Sequence, residues 1–169
     1  MPKQLVSLVD IASYQQDAEA SLRLYFTAAN PNFAALFAGY LQSEVAAQLA
    51  ERLSETDMRS ALVIMARVEA AFRIDYKQRC HKKKSDAVSV AFRKVFKRRR
   101  EKARLDEDIL ETWCQSTPST RPLISQLRGV FKFRHWIAHG RHWPVGNKYD
   151  FQTIYQLADG VCASFPFYE

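Results

Sequence analysis

Apolar residues recur at three- and four-residue spacing along nearly the whole 169-residue chain, a period that suits helices and not strands. Leu5, Leu8, Val9, Ala12, Leu22, Tyr25 and Phe26 predict a helix over 4–28, ended by Asn30-Pro31-Asn32. Phe33, Leu36, Phe37, Tyr40, Leu41, Val45, Leu49 and Leu53 predict a second helix. Ser54 to Asp57 reads as the cap of a third, which runs to about Cys80. A fourth carries Val88, Ala91, Phe92, Val95 and Phe96 on its apolar face and continues or bends into "LDEDILETWCQ". After the linker "QSTPST", a fifth helix starts near Thr120 to Pro122. It buries Leu123, Leu127, Val130 and Phe131, with Arg134 next on that side, and stops at Gly140. The last spans about Asp150 to Ser164, with Phe151, Ile154, Tyr155, Ala158 and Val161 facing inward. Five glycines and six prolines leave few breaks. The expected fold is an all-α bundle of five to seven helices, formed as one domain over 1–169.

Charge narrows the partners. The chain carries +7 overall, yet between Lys77 and Arg104 there are 13 Lys/Arg against Asp86 and Glu101. That stretch holds +11, which leaves −4 for the rest, so one cationic segment sits on a mildly acidic body and points to a polyanion. Cys80, Cys114 and Cys162 are far apart, without the spacing of a disulfide framework or a zinc knuckle. No apolar run reaches the ~20 residues of a membrane span. The N-terminus lacks the uncharged apolar core of a signal peptide. A cytoplasmic protein is expected.

Three of the four histidines fall within "FRHWIAHGRHW", Phe133 to Trp143. Three readings compete there. His135, His139 and His142 stand at i, i+4, i+7, a spacing that serves metals on an unbroken helix. Gly140 and Pro144 interrupt that helix, and no metal or other cofactor is expected. Alternatively the aromatics are core, and the histidines simply favour a helix C-terminus. The third reading is metal-free cleavage of an RNA phosphodiester. Histidine moves protons near neutral pH. Arginine's planar fork matches phosphate oxygens and stabilises charge in the transition state. The substrate supplies its own nucleophile, the 2′-OH. Arg134 and His139 are five residues apart and point about 140° away from each other on a straight helix. They converge only if the helix ends or bends between them, or if two copies meet.

Glu69 falls on the apolar stripe of the third helix, with Met58, Leu62, Met65, Phe72 and Tyr76. Burying a carboxylate is costly without partners. Either Glu69 lies at the stripe edge, paired with Arg73 one turn on, or it is a positioned carboxylate serving a site.

Arg134, four intervening residues and His139, with His135 in the polar place after the arginine and "IAHG" closing the helix, resemble the signature of the HEPN superfamily of all-α ribonucleases. The resemblance implies a homodimer in which two motifs form one composite site, and RNA cleavage without metal. It implies a role as a toxin or in phage defence, often beside an antitoxin such as a minimal nucleotidyltransferase. It makes Arg134 and His139 catalytic and His135 supporting. Glu69 is the candidate for the acidic residue that some members draw from an earlier helix.

The basic segment is the candidate RNA-binding surface, through Lys82, Lys83, Lys84, Arg93, Lys94, Lys97, Arg98, Arg99 and Arg100. Single-stranded RNA is the expected form, because in-line attack needs a flexible backbone. The alternative is a non-catalytic helical module that holds RNA or a protein through residues 82–104. A weaker third reading is a DNA-binding protein with this helix in a groove.

Overall fold

A computed structural model describes residues 6–140 and 149–168 of the chain. Every regular element among them is helical: α1 (Leu8–Tyr25), α2 (Phe33–Leu36), α3 (Gln42–His81), α4 (Ala87–Arg99), α5 (Glu111–Ser116), α6 (Arg121–Ala138) and α7 (Phe151–Ser164). Tight 3-10 turns at Arg100–Lys102 and Pro118–Thr120, and a wide π-turn at Leu105–Leu110, complete the path. No described helix is long and apolar enough to cross a membrane. Leu5 and the segment from Arg141 to Lys148, which includes the predicted loop at Pro144 and Gly146, lie outside the described residues.

The axis of the bundle is α3, whose 40 residues extend for about 60 Å. It packs against α1, α4, α6, α7 and the π-turn. The predicted cap at Ser54 to Asp57 is therefore corrected: the helix runs straight through it. The polar side chains that suggested a cap find other partners. Thr56 Oγ1 donates to Arg52 O at 2.9 Å, and Asp57 Oδ1 accepts from Gln15 Nε2 of α1 at 2.8 Å. The true start lies earlier, where Glu44 accepts from the Leu41 N–H at 2.7 Å. The predicted second helix accordingly divides, its first residues forming α2 and its later ones the opening turns of α3.

The C-terminal half of α3 runs through the core. Phe72 meets Phe165 and Phe167 edge-on at 5.0 and 4.9 Å, and Tyr76 meets Phe92 of α4 at 5.2 Å. Trp113 of α5 closes the cluster against Phe165 at 5.1 Å. On α6 the fully buried residues are Ile124, Leu127, Val130, Phe133 and Ile137, while Leu123 and Phe131 flank them half-buried. The stripe is thus rotated slightly from the predicted one, and Arg134 lies along it between Val130 and Ile137. The inward residues of α7 match the expectation, with Ile154, Ala158 and Val161 buried and Phe151 and Tyr155 packed at the edge.

A polar knot sits inside this core. Arg79 and Asp75, one turn apart on α3, are 3% and 0% exposed. Arg79 Nε donates to both Asp75 oxygens at 2.8 and 2.9 Å, and Nη1 donates to Asp86 Oδ1 at 2.9 Å. Nη2 donates to Pro166 O at 2.6 Å, while the Tyr168 N–H donates to Asp75 at 2.9 Å. The guanidinium also lies over the Trp113 and Tyr168 rings at 4.9 and 4.3 Å. Arg79 is one of the 13 cations of the basic segment, yet it is spent wholly on the fold.

Helix α4 begins with an Asp86 cap, whose Oδ1 accepts from the Ser89 N–H at 3.0 Å, and ends at Arg100 with φ 49° and ψ −126°. A side chain pays a steric penalty there that glycine avoids. Arg100→Gly is expected to raise stability by about 1 kcal/mol, read as a higher midpoint in a thermal melt.

Candidate functional site

The site grows from two helices that cross at Glu69. This carboxylate lies on the inward stripe of α3, with 17% of its side chain exposed. Its Oε1 accepts from Arg73 Nε at 2.7 Å, and its Oε2 accepts from Arg134 Nη1 of α6, 65 residues further along the chain. Glu69 pairs with Arg73 as the spacing suggested, and the same carboxylate also accepts from a second arginine, Arg134. Two charge-assisted bonds meet the cost of burying it. Arg134, with 39% of its side chain exposed, is anchored at one corner while much of its surface faces solvent.

Helix α6 does not break between Arg134 and His139. The His139 N–H still donates to His135 O at 3.0 Å, and only then does Gly140 turn the chain with φ 82°. Of the two ways for Arg134 and His139 to converge, a bend within one chain is therefore not taken: Arg134 turns to Glu69, and His139 turns to His135, whose ring centroid is 4.0 Å from its own. Both histidines are exposed. His142 lies outside the described residues, and among those described no group of three His, Cys, Asp or Glu is placed to hold a metal ion.

Sequence reading missed what leads up to the histidines. Arg128, Lys132, His135 and His139 stand at i, i+4, i+7 and i+11, so they form one line about 16 Å long on the outer face of α6. The spacing itself is written in the sequence.

No protein-family model matches the chain, and no curated protein or solved structure matches it significantly.

The basic surface is connected to this site through α3. Arg73 Nη1 donates to Ala103 O at 3.3 Å, and Tyr76 Oη donates to Arg100 O at 3.1 Å. Glu69, Arg73 and Tyr76 lie at i, i+4 and i+7, so the end of α4 is held on the same face of α3 that presents Glu69, about 10 Å along the axis. The candidate RNA-binding residues differ in availability. Lys82, Lys83, Lys84, Lys94, Lys97, Arg98 and Arg100 are exposed. Arg93 is half-buried and donates to Lys84 O at 2.7 Å. Arg99 lies 3.7 Å from Asp108 Oδ1. Lys82 and Lys84 approach the Tyr168 ring at 5.6 and 6.0 Å.

Proposed function

We propose that the protein is a metal-independent endoribonuclease of HEPN type that cleaves single-stranded RNA by attack of the 2′-OH. The observation that carries this reading is the Glu69–Arg134 pair near the end of α6, on the same helix as the contacting rings of His135 and His139. A carboxylate from one helix orients an arginine on another, which leaves the guanidinium preorganised for a phosphate. The two imidazoles supply groups that can accept and donate a proton. His139 is the acid–base residue and His135 its support. Because Arg134 and His139 face different partners in one chain, the reading calls for a second copy, whose Arg134 meets this copy's His139 across a two-fold axis. The exposed lysines and arginines at the end of α4 hold the RNA backbone, and a toxin or phage-defence role with a paired antitoxin fits such an enzyme.

The test is incubation of end-labelled single-stranded RNA with excess EDTA. The expected result is cleavage that leaves 2′,3′-cyclic phosphate ends, weakening as salt displaces the basic surface from the phosphates. Cleavage only on adding a divalent metal would overturn the mechanism. RNA binding without cutting would favour the non-catalytic module, for which the exposed basic face of α4 is the supporting observation.

A further inference from the structure

A cavity of about 580 Å³ opens beside the histidines, between α6, the π-turn and Tyr149. Leu105, Phe133 and Tyr149 form its apolar wall, Asp106 and Arg128 stand in its lining, and His135 lies along it. The wall is tightly built. The Phe133 and Tyr149 rings are 5.5 Å apart, and a Cβ on Gly129 would come within 2.3 Å of the Tyr149 hydroxyl. Only glycine lets that ring lie so close to α6. The polar side is fixed as well. Arg128 Nε donates to Asp106 Oδ1 at 2.5 Å, and Nη2 donates to Glu111 Oε2 at 2.7 Å. The guanidinium is thereby neutralised and holds Asp106 by one oxygen, with 57% of that side chain exposed.

We infer that this cavity seats a guanine base of the RNA, next to the phosphate that is cut; the inference rests on the ribonuclease reading. An aromatic and aliphatic wall suits the face of a planar base. Pockets of this size hold ligands as large as a nucleotide. A carboxylate accepts hydrogen bonds and donates none. Guanine offers it an N–H and an amino group side by side. Uracil offers one N–H between two carbonyls, whose oxygens a carboxylate repels. With the base in the cavity, the line from Lys132 to His135 and His139 receives the adjoining phosphate.

The experiment is an NMR titration of the full chain with the 5′-monophosphates of guanosine, adenosine, cytidine and uridine. These have no internucleotide bond, so binding is read apart from cleavage. Guanosine monophosphate is expected to shift the amides of residues 105–106 and 128–135 and to bind at least about tenfold more tightly than uridine monophosphate. Asp106→Ala should erase that preference while the fold remains, since Arg128 keeps Glu111. Leu105→Trp, which fills the cavity, should abolish binding of all four. Equal affinity for the guanosine and uridine nucleotides, no binding of either, or unchanged binding in Leu105→Trp would overturn the inference. Wild-type protein that cuts RNA but ignores the guanosine nucleotide retires this site alone. Protein that binds it selectively without cutting RNA keeps the guanine site but retires the ribonuclease reading, and with it the place of that site beside a cut phosphate.

Discussion

Arg134→Ala and His139→Ala are each expected to reduce RNA cleavage by roughly 10²- to 10³-fold, with circular dichroism unchanged. On the proposed mechanism the two losses have different causes. Without His139 a proton must travel through water instead of a placed imidazole. Without Arg134 the charge that builds on the phosphate loses its fixed counter-charge. Arg134→Ala also leaves Glu69 half-buried with Arg73 as its remaining partner. Arg134→Lys is therefore the sharper variant. Lysine keeps a positive charge beside Glu69 but lacks the planar fork, so the fold should hold while cleavage stays low. Equal activity of Arg134→Lys and wild type would show that the planar fork of Arg134 plays no part in cleavage. Mixing the two inactive proteins tests the second copy. If the dimer's two Arg134–His139 pairs, each drawn from both chains, act independently, an Arg134→Ala/His139→Ala heterodimer keeps one intact pair. Random exchange of subunits then restores roughly a quarter of wild-type activity. No recovery after proven exchange would place both residues in the same chain's site.

Arg79→Ala is expected to cost about 3–5 kcal/mol of unfolding free energy. The truncation leaves the carboxylate of Asp75 in the core without its counter-charge, and it also strips the Pro166 carbonyl of a donor. Its reach is wide, because this one guanidinium joins α3, the cap of α4 and the C-terminal residues. In a urea titration the midpoint should fall sharply, and the melting temperature should drop by about 10 °C or more. Asp75→Asn should also destabilise, by leaving the buried guanidinium short of a negative partner while an acceptor for the Tyr168 N–H remains. A shift of less than about 1 kcal/mol in Arg79→Ala would mean that the knot is solvated in solution, as exposed ion pairs are.

These two arginines mark the boundary of what the residues alone reveal. Arg134 was legible because it interrupts an apolar stripe six residues before Gly140, in a pattern with a chemical rationale. In the sequence Arg79 is one more cation in a basic run, since nothing adjacent to it separates a buried arginine from an exposed one. Ser54 to Asp57 misled for a related reason. Cap-forming side chains announce a helix start only when no helix or neighbour offers them another partner, and here Arg52 O and Gln15 do.

By itself the sequence determined the helical class, the apolar faces of α4 and α7, the stop at Gly140 and the set of residues around the motif. Each follows from interactions within one or two turns, which periodicity and local backbone preference encode. Tertiary structure alone decided that α3 is one continuous axis, that Glu69 joins Arg73 to Arg134, that Arg79 is buried, and that a cavity opens beside His135. Those outcomes depend on the angle and depth at which distant helices meet. Packing sets that geometry by burying the most apolar surface while giving buried charges such as Glu69, Asp75 and Arg79 partners, a balance struck over the whole bundle and absent from any single stretch of it.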